Sequence, residues 1–174
     1  KTKVMSERVK LINPECTVNI IDDFISPENQ SDYLNRGYDY VIDAIDNVKT
    51  KASLIAYCKR NKINVITIGG AGGQTDPTQI QIADLSKTIQ DPLLAKVRSV
   101  LRKDYNFSQN PKRKFSIDAV FSTQPLIFPQ MTEGCAISAT MNCANGFGAA
   151  TMITATFGFF AVSRVIDKLL KKKS

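Results

Sequence analysis

Histidine is absent from the 174-residue chain. Its absence excludes Ser-His-Asp and Cys-His catalysis within the chain, and any metal site built on imidazole. The four cysteines, Cys16, Cys58, Cys135 and Cys143, include no C-x-x-C pair. A Cys/His zinc site is therefore not expected. Nothing in the pattern suggests secretion, so reduced thiols and a cytoplasmic setting are expected. No residue is marked as a covalent nucleophile. Cys135 and Cys143 are candidates to receive sulfur, although nothing beside either predicts a depressed thiol pKa.

Acid is in short supply: 16 Asp and Glu stand against 23 Lys and Arg, for a net charge of +7. A polyanionic partner fits that balance, and so does plain solubility. The excess is concentrated. Residues 96–114 hold Lys96, Arg98, Arg102, Lys103, Lys112, Arg113 and Lys114 against Asp104 alone. Tyr105 and Phe107 lie between the two basic groups and could stack on unpaired bases. A solvated helix face followed by a charged loop is the plainer reading.

The length fits one domain, 1–174, with a sizeable core. The most informative stretch is Tyr40 to Lys51. Tyr40, Val41 and Ile42 form a short apolar run that reads as a buried parallel strand, ending at Asp43. Asp46 follows three residues later, and Asn47 sits where a helix would start. Val48 to Arg60 carries a helical pattern, with Leu54, Ile55 and Cys58 on one face. Ligands of open α/β sheets bind outside the carboxyl ends of the strands. Carboxylates there, beside a helix N-terminus, suit a phosphate and its Mg²⁺. A strand-end Asp and an Asx helix cap without ligand would look the same.

The remaining chain alternates in a similar rhythm. A helix is expected from about Val4 until Asn13 and Pro14 stop it. Thr17–Ile21 reads as a strand ending in the acids Asp22 and Asp23. Pro27–Asn35 reads as a short helix capped by Ser26 and closed by Gly37. Ile63–Ile68 is a second apolar strand, followed by Gly69, Gly70, Ala71, Gly72 and Gly73. That glycine run suits a phosphate or cation loop, or a connector.

Thr78–Ala83 alternates as a half-buried antiparallel strand, and Asp91-Pro92 starts a helix reaching about Lys103. Phe115, Ile117, Ala119 and Phe121 share one face of a further strand, and 122–130 reads as irregular. The whole predicts an α/β, Rossmann-like mixed sheet flanked by helices. Within it, 69–130 is expected as a β-rich, basic insertion and 146–172 as a C-terminal packing helix. The apolar stretch 146–166 approaches membrane-span length. Its three Gly and three Thr favour close packing in a core or dimer interface over stable membrane insertion. The basic tail Lys168–Lys173 reads as a frayed, solubilising helix end.

Asp43-Ala-Ile-Asp-Asn-Val-Lys-Thr-Lys51 resembles the Asp-x-x-Asp-Asn-x-x-x-[Arg/Lys] signature of the ThiF/MoeB/HesA-type adenylating enzymes, relatives of the ubiquitin-activating enzymes. Three further strings are similar to its tRNA-modifying dehydratase branch. They begin at Gly69 (through Ile80), at Asp84 (through Lys96) and at Gly146 (through Met152). The resemblance covers Lys1 to about Ile166. Several relatives carry paired C-x-x-C zinc ligands, and this sequence departs from them there.

The resemblance implies ATP-driven dehydration of threonylcarbamoyladenosine in tRNA, through adenylation of its carboxylate and ring closure by the neighbouring carbamoyl group. Asp46 would be the catalytic acid, serving Mg²⁺ and the α-phosphate. Asp43 and Asn47 would shape the ATP pocket, and Lys1 aligns with a phosphate-contacting lysine. ATP and Mg²⁺ are the implied cofactors, with a monovalent cation as a further candidate. tRNA, a second copy of the chain and sulfur-transfer proteins are the implied partners. The nucleotide loop, ribose-binding acid and phosphate-clamping arginines lie upstream in that family. The chain is therefore expected to be the later part of a longer protein, inactive alone. Adenylation of a ubiquitin-like sulfur carrier is the alternative, disfavoured by the missing C-x-x-C pairs and the basic segment. A non-catalytic dimeric scaffold is the other, disfavoured by the intact Asp46-Asn47.

Overall fold

A computed structural model describes residues 1–128 and 148–173, without the side chains of the last two. Four strands form one sheet in the order β1-β2-β4-β3. These are β1 (Val41–Asp43), β2 (Val65–Ile68), β3 (Ile80–Asp84) and β4 (Asp118–Ser122). β1 and β4 flank β2 in parallel, whereas β3 runs antiparallel to β4. The expected mixed α/β sheet is thus present. The stretch 69–128 supplies half of that sheet's strands.

The sheet is covered on both faces. On one, α3 (Val48–Arg60) and α4 (Pro92–Asp104) pack on each other and on the strands. Ala52, Ile55, Leu94, Val97 and Leu101 meet Phe115, Ile117, Ala119 and Phe121 there. Those four residues do share one side, but the strand expected from Phe115 begins only at Asp118, because Ser116 takes a left-handed φ of +58° and breaks the extended run. On the other face, Ile153, Phe157, Ala161 and Val165 of α5 (Thr151–Lys173) pack on Ile66, Ile80 and Val120. α5 extends through the basic tail rather than fraying before it. Among the described residues no helix is long and apolar enough to cross a membrane.

The N-terminal third is thinner. In α1 (Thr2–Ile12) only Ser6 is buried. The expected strand Thr17–Ile21 does not form: among the described residues no strand pairs with it. β-branched residues favour a strand only where a partner exists. Asp23 instead accepts hydrogen bonds from Tyr33 Oη and Phe24 N. The bond from Tyr33, foremost, holds the Asp23 carboxyl below its usual range. The helix expected over 27–35 shrinks to α2 (Gln30–Leu34), with a turn before it. The Asn29 side chain accepts from Ser26 N at 2.7 Å, which folds the entry into that turn. The strand expected at 78–83 begins two residues later. Asp76 caps a 3-10 turn over Pro77–Gln79 by accepting from Thr78 N.

Candidate active site

β1 ends at Asp43, directly opposite Thr67 of β2. Thr67 Oγ1 donates to Asp43 Oδ2 at 2.7 Å, and Lys51 Nζ stands 3.0 Å from the same oxygen. Both charged side chains are wholly covered. Lys51 also donates to the Ile45 carbonyl at 2.9 Å and, more weakly, to the Asp43 carbonyl at 3.4 Å. Asp43 Oδ1 accepts from Ile45 N at 3.0 Å. One lysine, reaching back from the first turn of α3, thus pins the loop 43–45 from beneath. Burial depresses the Lys51 pKa, and the charges of Asp43, Asp91 and Asp46 oppose that shift.

Asp46 and Asn47 stand exposed on top of this anchored loop. Asn47 caps α3, its Oδ1 accepting from Thr50 N at 3.1 Å. The strand-loop-helix reading of 40–60 therefore holds and the cap exists, but the strand spans only Val41–Asp43 at the end of the sheet's order and leaves Ile42 exposed rather than buried. Asp43, expected to shape the ATP pocket, turns inward. Its carboxylate is covered and engaged by Lys51, Thr67 and Ile45, and through those bonds it orients the loop. Lys1 is exposed at the start of α1.

A second buried acid braces the next strand end. Asp91 caps α4 through Leu94 N at 2.8 Å and accepts from Gly70 N at 2.9 Å. Burial, its largest influence, raises the Asp91 pKa against these bonds and Lys51. Gly69 has no room for a side chain: a Cβ there would lie 1.9 Å from Asp91 Oδ2. The start of the glycine run is thus a close-packed joint. Its later part, Gly72 and Gly73, bridges to Ala149 and Gly148. Sequence reasoning passed over the roles of Lys51, Thr67 and Asp91. Lys51 ends the signature and Asp91 precedes a proline, but their partnership is visible only in three dimensions.

The seven basic residues divide. Lys96, Lys103, Lys112, Arg113 and Lys114 are exposed. Arg98 and Arg102 are half-buried and tied down, which removes them from a free RNA-facing set. Arg98 donates to Thr88 Oγ1. Arg102 lies 5.3 Å from the Phe115 ring centre and donates to the Ser108 carbonyl at 3.4 Å. Phe107 meets Phe115 edge-on at 4.9 Å, and Tyr105 packs on the same core. Both rings are half-buried against that core. Burial, then Asp43, pushes the Cys58 thiol up to about 12, which disfavours its thiolate. Cys135, Cys143 and the start of the 146–172 stretch lie outside the described residues.

The ThiF family model matches residues 1–174. The chain belongs to the ThiF family. It is 98% identical, over 174 residues, to a tRNA threonylcarbamoyladenosine dehydratase of Haemophilus influenzae, covering 100% of this chain and 67% of that protein. It is 57% identical over 180 residues to the enzyme of that name from Escherichia coli, covering 99% and 67% respectively. The crystal structure of the E. coli enzyme with ATP superposes with a TM-score of 0.87 at 53% identity. A second structure, with AMP, gives 0.87 at 54%. This chain spans 64% and 65% of those two chains and is itself covered to 99% in both. These ThiF-family likenesses agree with the mixed sheet.

Proposed function

We propose that the protein of which this chain forms a large part dehydrates threonylcarbamoyladenosine in tRNA, using ATP to activate the carboxylate. One observation carries the proposal for the site: Asp46 stands exposed on a loop whose underside is locked by the Lys51–Asp43 pair. The similarity to relatives of that name, one crystallised with ATP, supports the reaction class. An acid held in place before the ligand arrives loses little freedom when it acts. Asn47 orders the N-terminus of α3 beside it, where anionic oxygen is favoured.

Asp46 alone would hold Mg²⁺ through one carboxylate, an arrangement usual for Mg²⁺ that is also bound by phosphate. The ion would neutralise triphosphate charge there. Lys1 is proposed to contact the ATP phosphates, and a monovalent cation is proposed as a further cofactor. Lys96, Lys103, Lys112, Arg113 and Lys114 are proposed to meet tRNA phosphates, whose screening makes such contacts salt-dependent. A cytoplasmic setting and sulfur-transfer partners fit the reaction and are proposed with it.

The test is ATP-dependent loss of one water from modified tRNA, read by mass spectrometry with the full-length protein. Asp46→Ala is expected to slow it roughly 10²- to 10³-fold while leaving the fold intact. An unchanged rate would remove Asp46 from the site. AMP release only on addition of a small carrier protein would overturn the tRNA reading.

A homodimer is proposed through the outer face of α5. Met152, Phe159, Val162 and Ile166 are exposed there at helical spacing. Phe159→Glu should halve the sedimenting mass of the full-length protein. An unchanged mass would exclude this face.

A further inference from the structure

At the opposite edge of the sheet, where β2 and β4 begin, lies a cavity of about 1000 Å³. Lys59, Lys62, Lys114 and Lys168 line it. They come from the end of α3, the loop before β4 and the last turns of α5. No acid stands within ion-pair distance of these four among the described residues. The acids nearby are spent. Asp118 is held by Arg164 at 2.7 Å, and Asp167 by Lys171 at 2.9 Å. Asp84 accepts from Ser86 N, Phe115 N and Ser116 N at 2.9, 2.9 and 2.7 Å. The cavity therefore keeps a net positive field that local pairing does not cancel.

A second hollow, of about 330 Å³, shares Lys59 and Lys114 with the first and adds Arg60. The two form one basic track running from α5 past α3 to the turn after α4. Only Lys114 belongs to the basic cluster 96–114. Backbone conformation adds an independent observation. Lys62 has φ +57°, and Ile63 N donates to the Cys58 carbonyl at 2.9 Å, closing α3. Glycine suits that left-handed position better, and a lysine there costs stability. Its side chain lines the cavity.

We infer that this track is a second binding surface for RNA phosphates, formed by Lys59, Arg60, Lys62, Lys114 and Lys168. It rests on the tRNA reading above, which it deepens. β2 spans four residues, so at a rise of about 3.3 Å per residue the two edges lie roughly 13 Å apart. One folded RNA is large enough to present a base at Asp46 and lay a stem along the opposite edge. Recognition would be of backbone, not sequence, because flexible lysines supply point charges rather than base-edge patterns.

The test measures binding of unmodified tRNA to the full-length protein across a salt series, by fluorescence anisotropy. Lys59→Ala/Lys62→Ala/Lys168→Ala should weaken binding about tenfold and flatten the log–log salt slope by about 0.7–0.9 for each phosphate no longer neutralised. Lys62→Gly is the decisive single change. It relaxes the backbone, so thermal stability should hold or rise while tRNA affinity falls. Lys112→Ala/Arg113→Ala is the comparison at the other basic segment, and ATP binding by calorimetry should be unchanged in every variant. Unchanged affinity and slope in the triple variant would overturn the inference while leaving dehydration intact. Equal weakening of inorganic triphosphate binding would instead mark a small-anion site, and would also overturn it. Failure of the unsubstituted protein to bind tRNA would overturn both this inference and the reading on which it rests.

Discussion

At the carboxyl edge of the sheet the buried charges are partnered, whereas at the amino edge several exposed lysines are not. Lys51 and Asp43 meet at 3.0 Å with no solvent exposure, and Asp91 is clasped to two backbone amides. Lys59, Lys62, Lys114 and Lys168 stand in water. The difference separates two tasks. Buried, fully bonded charges contribute little net stability, but they fix geometry, because breaking one leaves a desolvated ion. Exposed lone charges fix no geometry, yet their field reaches about 8 Å at physiological salt. One edge is built to orient an atom, and the other to attract a chain of anions.

The comparison breaks most sharply at Lys51. Lys51→Met should cost about 3–5 kcal/mol, because Asp43 is left buried without a counter-charge. Adding Asp43→Asn should recover part of that loss. Urea unfolding of the single and double variants checks both statements. A single-variant cost below about 1 kcal/mol would mean that water reaches the pair, against the expectation for a buried ion pair.

A smaller effect is expected at Asp84, the acid spent in building the amino edge. Burial acts to raise its pKa, but hydrogen bonds from Ser86, Phe115 and Ser116 outweigh it and hold the carboxyl below 3.8. A depressed acid stabilises the fold above its unfolded pKa. That contribution is lost as pH falls through the lower, folded value. Asp84→Asn should therefore lower stability by about 2 kcal/mol at neutral pH, as removal of charged hydrogen bonds does. The gap to the unsubstituted protein should close as pH falls below about 3.8. Thermal melts across pH 2 to 7 would show it, and a constant gap would remove the charge from the account.

Much of the fold was legible because its signals are local. Asn47 and Asp91-Pro92 announce helix starts, and the alternation of Phe115 to Phe121 announces a shared buried side, although only its second half is strand. Asp46 was legible for the same reason, sitting between a strand end and a cap. Thr17–Ile21 misled because β-branching says nothing about whether a neighbour is present to pair. Arg98 and Arg102 misled because their partners, Thr88 and Phe115, lie ten or more residues away along the chain. The basic track was invisible for a stronger version of that reason. Its lysines come from three segments that only the closed sheet brings to one edge.

The joint at Gly69 has a mechanical meaning. With Asp91 Oδ2 filling the space a methyl would need, the end of β2 and the start of α4 move as one body. A cut or graft between Ile68 and Leu94 would therefore separate a strand from its own fastening, while the exposed N-terminal helix offers a gentler place to splice.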